Sequence, residues 1–218
     1  MGDTGKRGRP ARLNRDDIIA TAAQLLLGDA GEAFSIHALA RALDVTPMAI
    51  YRHVDGKDAL LQAVAVELLE RFQPRIPASP WADQLRAWAR QTRSHFLAHP
   101  AFFSILGWQE HIAGAWLRQI AVLTRIIARS GLEDRELANA VRWTANTFMA
   151  SIQFEIASRR SGSRFSAEDI ALLGADDACL INSMMSELLQ DNAASIFEDC
   201  VDRVIEALQA RSRSVHGR

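Results

Sequence analysis

Apolar residues recur along most of this chain three or four positions apart, and no stretch of useful length alternates apolar and polar as a strand would. The expected fold class is therefore all-α. Asn14 reads as the cap of a first helix, with Asp16 and Asp17 in its first turn and Ile18, Ile19, Ala22, Leu25 and Leu26 on one face. Gly28 and Gly31 end it. Ser35 caps a short second helix over 36–43, and Thr46 followed by Pro47 starts a third over 47–53, because proline at the first helical position loses nothing. Asp55 and Asp58 resemble a capping box for a fourth helix over 56–72. Pro74, Pro77 and Pro80 then forbid a continuous helix. Longer helical segments follow at 81–98, 110–129 and 135–158, with Gly131 and Leu132 as a helix stop between the last two. After a polar, basic loop at 158–164, Ser166 and Asp169 open a short helix interrupted near Gly174. Two last helices are expected at 176–189 and 193–211.

Composition narrows the class. With 49% hydrophobic and 23% charged residues in 218, the chain has ample material for a core. No apolar run approaches the ~18 residues that span a bilayer, and the basic N-terminus lacks the apolar stretch of a signal peptide. A cytoplasmic protein is expected. Cys179 and Cys200 read as buried small hydrophobes of a reduced protein rather than a disulfide framework. The net charge of −1 excludes an indiscriminate polycation, yet residues 1–15 hold Lys6, Arg7, Arg9, Arg12 and Arg15 against Asp3 alone. That segment is a solvated tail or an arm that follows phosphates once DNA arrives. The expected division is a basic flexible arm at 1–13, a DNA-binding unit at 14–63, a larger helical unit at 64–211 and a frayed tail at 212–218.

Two short helices joined across Leu43-Asp44-Val45-Thr46 have the dimensions of a helix-turn-helix. Phe34, Ile36, Leu39, Ala40, Leu43, Val45, Ile50 and Val54 fit its interior, with Ala40 small where the helices meet. Thr46, Pro47, Met48, Ala49, Tyr51, Arg52 and His53 remain outside. The bland alternative is a helical hairpin with no DNA role, which would more often carry Glu and Lys there.

The run from Phe34 to Leu61 resembles the DNA-binding signature of TetR-type regulators, most specifically in Ile50-Tyr51-Arg52-His53-Val54, then Lys57 and the pair Leu60-Leu61. The likeness covers roughly residues 14–63. It implies that Ser35 bonds a phosphate at the start of the second helix, and that His37 reads a base or holds phosphate. It implies that Thr46, Pro47, Met48 and Ala49 face base edges, the last two suited to thymine methyls. Tyr51, His53 and Lys57 would hold phosphates, and Arg52 a base or phosphate. Two departures stand out. Asp44 occupies a turn position where glycine is usual and positive φ is expected, which Asp tolerates better than most residues. Met48 and Ala49 offer few hydrogen bonds, so readout would lean on Arg52, His37, the basic arm and DNA shape.

For the rest of the chain the resemblance implies a larger helical domain that binds a small effector and forms a homodimer on a palindromic DNA operator. Ile196, Phe197, Cys200, Val201, Val204, Ile205 and Leu208 on the last helix, and Val141, Ala145, Phe148, Ile152 and Ile156 on helix 135–158, are stripes compatible with a four-helix seam between copies. Packing within one chain is the alternative. Trp81, Trp88, Trp108, Trp116 and Trp143, with Phe96, Phe102, Phe103, Phe148 and Met149, could line an apolar cavity. The expected ligand contacts are His95, Phe96, Phe103, Trp108, Gln109, Trp143, Asn146, Met149 and Gln153; for each singly, ordinary packing competes. His95, His99 and His111 lack the company of a metal motif, and no cofactor is expected. Neither a glycine-rich phosphate loop nor a nucleophile elbow is present, so an enzyme is not expected.

Overall fold

A computed structural model describes residues 13–27, 34–100, 113–161, 167–188 and 193–216. Among these every regular element is a helix, as the periodicity predicts. Asn14 caps α1 (Arg15–Leu27): its Oδ1 accepts the Asp17 N–H at 2.8 Å and its Nδ2 donates to the Asp17 carboxylate at 2.7 Å. The Ser35 hydroxyl accepts the Ala38 N–H at 3.1 Å and so starts α2 (Ile36–Ala42). The chain turns at Asp44, whose φ of 52° is the left-handed conformation expected there. Pro47 then opens α3 (Pro47–Tyr51), shorter than the pattern suggested because the helix ends at Arg52.

α4 (Lys57–Arg71) begins one residue later than a capping box would need. Gly56 is its N-cap, at φ 103° and ψ 178°, and no side chain caps it. Asp58 thus falls at the second helical position, out of register with Asp55. The expected box is replaced by a backbone conformation that only glycine adopts freely. Ile18, Ala22, Leu39, Ile50, Leu60 and Val64 are almost fully enclosed and fuse α1 to α4 into one small core.

Residues 72–80 run non-helically through the prolines to α5 (Trp81–Ala98). Beyond it lie α6 (Ala113–Ala128), α7 (Asp134–Ser161), α8 (Ala167–Ala171), α9 (Ala175–Leu188) and α10 (Ala193–His216). Gly131, at φ 87°, makes the turn between α6 and α7, and Leu132 is buried behind it. α5 packs on α6, α7 and α10, and α7 on α6 and α10. Trp88 meets Phe148 at 6.3 Å between centroids, and Phe148 meets Phe197 at 5.9 Å. Beside them Glu155, 4% exposed, accepts two hydrogen bonds from Arg93, at 2.7 and 2.8 Å, and one from Arg159 at 2.8 Å. The Arg93 guanidinium also lies 5.3 Å from the centre of the Phe197 ring.

Three expectations need correction. The stripes Val141, Ala145, Phe148, Ile152 and Ile156, and Phe197, Val201, Val204, Ile205 and Leu208, are buried inside one chain, so they are core rather than a seam. A single helix period cannot say which neighbour covers a face. Cys179 is exposed, because α9 is packed on little besides α8, and Cys200 on α10 is half-buried rather than buried. The tail does not fray at 212, since α10 continues to His216. The Ser212 hydroxyl donates to the Ser130 carbonyl at 2.5 Å, and Arg211 donates to Glu136 at 2.6 Å.

Phe148 is fully enclosed at the centre of the α5–α7–α10 packing. Replacing it with alanine should cost about 3–5 kcal/mol. Urea unfolding should show a lower midpoint, and a loss below about 1 kcal/mol would mean that the centre repacks freely.

Candidate nucleic-acid interface and effector cleft

α3 packs on α2, buries one side chain, Ile50, in the small core and leaves others exposed to solvent. Met48 is 69% exposed and Tyr51 47%, and with Arg52 they form one outward ridge. Thr46, His53, His37 and Lys57 are exposed around it, while Pro47 and Ala49 are half-buried. Thr46 is the N-cap of α3, yet its side chain makes no capping bond. The Ser35 hydroxyl accepts from Ala38 but keeps its own proton for a further acceptor. Every expected DNA-facing residue thus reaches the surface of the small core, Ser35, Pro47 and Ala49 only in part. Arg41, exposed at the end of α2, stands at the same unit's surface and was not anticipated, because nothing in a lone arginine's spacing marks it. The basic arm at 1–12 lies outside the described residues.

The expected ligand residues divide. Phe103, Trp108 and Gln109 lie outside the described residues. Trp143, 45% exposed, and Gln153, also exposed, face outward from α7. Phe96 is packed core, and His95 stacks on Phe72 with ring centroids 4.5 Å apart. Only Asn146 and Met149 line an open space, a cleft of about 680 Å³ between α6 and α7. Trp116, Ile120 and Thr124 form its α6 wall; Asp134, Leu137, Ala138, Val141, Arg142 and Ala145 complete its α7 wall. The volume suits a small organic molecule. Arg142 donates to Asn139 at 3.0 Å and has no carboxylate partner among the described residues. Helical spacing from Asn146 back to Arg142 and Ala138 was the signal that would have found it.

The end of α4 is fastened to this region. Gln119, buried on α6 between the cleft residues Trp116 and Ile120, donates through Nε2 to the Leu69 carbonyl at 3.2 Å and the Phe72 carbonyl at 2.8 Å. Arg118 pairs with Glu70 alongside. The amide thereby satisfies carbonyls that the last turn of a helix leaves without partners.

The model of bacterial regulatory proteins of the tetR family matches residues 18–64, which span α1 to the middle of α4. This chain is 27% identical over 151 residues to the transcriptional repressor DrrR1 of Streptomyces coeruleorubidus, covering 65% of this chain and 54% of that one. It is 36% identical over 92 residues to the class D tetracycline repressor protein of Escherichia coli, covering 41% and 42%. The chain thus spans about half the length of these relatives. In fold it is similar to ActR of Streptomyces coelicolor in complex with actinorhodin, with a TM-score of 0.73 at 24% identity, covering 93% of this chain and 99% of that one.

Burial, reinforced by the neighbouring His99, pushes the His95 imidazole down to about 4 from an ordinary 6.5. The folded protein holds it neutral, while the unfolded chain takes up a proton near 6.5, so between these values the unfolded state binds more protons. Stability should therefore fall as pH drops from about 6.5 towards 4, and His95→Phe should flatten that slope in thermal melts across the window. Parallel slopes for the two proteins would show that His95 is not responsible.

Proposed function

We propose that this protein is a sequence-specific DNA-binding transcriptional repressor, released from a palindromic operator when a small molecule enters the α6–α7 cleft. The observation that carries the reading is one connected arrangement. The exposed Met48–Tyr51–Arg52 ridge and Lys57 belong to the small core that α4 completes, and the far end of α4 is clamped by Gln119 from the cleft wall. A ligand that moves α6 must pull on Gln119, and through it on the helix that starts beside the DNA-facing residues. A coupling of ~1–3 kcal/mol suffices for such a switch. The likeness to DrrR1, a repressor, and to ActR, which binds actinorhodin, supports the sign and the kind of control.

In this reading Ser35, His37, Thr46, Tyr51, His53 and Lys57 position the duplex through phosphates. Arg52 and the methyl-rich tip of Met48 and Ala49 read the major groove. One short helix covers too few bases for specificity, so two copies would act about one DNA turn apart, ~34–36 Å. With the two long stripes used as core, Trp143 and Phe154 on α7 and Ile196 on α10 are among the exposed apolar residues left for a homodimer contact. The cleft would take an apolar, partly aromatic effector against Trp116 and Met149, with Arg142, Asn146 and Thr124 fixing its polar groups. The chain acts by binding, not as an enzyme. No described helix is long and apolar enough to cross a membrane.

Fluorescence anisotropy on the region upstream of its own gene should show tight, salt-sensitive binding that a shuffled sequence does not share. Equal affinity for both at every salt concentration would overturn the reading. Lys57→Ala should weaken binding to all sequences and lower the slope of log affinity against log salt by about one. Gln119→Ala should keep operator binding but lose most of the effector's ability to release it, at a cost of about 1–3 kcal/mol in stability for the abandoned carbonyls. Full effector response in that variant would place the coupling elsewhere.

A further inference from the structure

α6 has a second open face. Opposite the effector cleft, the proline-containing strap between α4 and α5 lies against α6 and leaves a groove of about 370 Å³. Ile76, Pro77, Val122 and Ile126 give it an apolar floor, and Arg125 and Arg129 stand along it. At 3.6 residues per turn, Trp116, Ile120 and Thr124 project about half a turn away from Val122, Ile126 and Arg129, so the cleft and the groove share the helix but not a side.

The two arginines are the unusual feature. They are four residues apart, Arg125 in the last turn of α6 and Arg129 just past its end, both are exposed, and neither has a hydrogen-bonded or ion-paired carboxylate among the described residues. Several arginines of the larger helical packing are paired, Arg86 with Asp202, Arg90 with Glu198, Arg93 with Glu155, Arg118 with Glu70 and Arg211 with Glu136, whereas Arg142 in the cleft, like these two, is not. Like charges at this spacing repel, so the pair is a poor structural choice unless an anion sits between them. Two guanidinium groups above an aliphatic floor are complementary to a carboxylate with a hydrocarbon tail. Gln84, 3% exposed, borders the groove and is held in place by donating to the Ser79 carbonyl at 2.8 Å. The Ser79 hydroxyl is itself buried without a partner among the described residues, a spare polar group one residue beyond the Ala78 edge of the groove.

From this arrangement we infer that the strap groove is a second ligand site, one that takes a small amphipathic carboxylate, its head on Arg125 and Arg129 and its tail on Ile76, Pro77, Val122 and Ile126. An occupant bridges α6 to the strap and so stiffens the joint that joins the two halves of the chain. The site does not depend on the effector reading of the cleft, because its ligand can be tested by direct binding without DNA.

Isothermal titration of the full chain with decanoate, with decanol as the neutral comparator, is the test. The expected result is saturable binding at one decanoate per chain, at least ten-fold tighter than decanol. Arg125→Ala/Arg129→Ala should weaken decanoate at least ten-fold with an unchanged melting curve, since both side chains are exposed. Arg142→Ala, which alters only the cleft, should leave decanoate binding within two-fold. Equal binding of decanol, undiminished binding in the double variant, loss of binding in Arg142→Ala, or no binding up to the solubility limit would each overturn the proposal.

Discussion

A helix that ends inside a protein leaves its last carbonyls in need of donors, and α4 ends against α6. Gln119 supplies them: one side-chain amide, buried, reaches two carbonyls at the α4 terminus. Everything on the N-terminal side of that amide is the small four-helix core, and everything beyond it is the larger packing of α5, α6, α7 and α10. Without it the joint would rest on the proline-containing strap, the packing of α4 on α6 and the Arg118–Glu70 pair. With it, the orientation of α4 is set by a helix that also forms the wall of the main cleft.

The larger packing has its own fixed point. Glu155 would be costly to bury alone, and Arg93 and Arg159 together occupy its oxygens while Arg93 rests on the Phe197 ring. The carboxylate therefore ties α5, α7 and α10 at one level, beside the Trp88–Phe148–Phe197 contacts. Charge and aromatic packing act here at the same place, which leaves α6 as the helix with open space on both sides.

What was legible in the sequence was what is local. The Asn14 and Ser35 caps, the left-handed turn at Asp44, Pro47 at a helix start and the Gly131 stop each depend on a few neighbouring residues, and each appears where its chemistry demands. The Asp55–Asp58 pairing failed by one residue, because Gly56 moved the register of α4. The two apolar stripes left their partner open for a different reason. Helical periodicity reports that a face is covered, and the covering helix, α5 or α10 of the same chain, comes from distant sequence. The cleft is legible in part: Asn146 and Met149 stand among the expected ligand contacts and line it, whereas Arg142 and Asp134 on the same helix carry no local signal of their own.

Five residues are too few to hold a helix in water on their own, so α3 borrows its order from the core through Ile50 and, just past its end, Val54. The side chains that face outward contribute almost nothing to that support. A lineage could therefore rewrite Met48, Tyr51 and Arg52 one at a time, acquiring new sequence preferences while the scaffold beneath stays as stable as before. Separating the legible surface from its foundation in this way makes the recognition segment the part of the molecule freest to diverge.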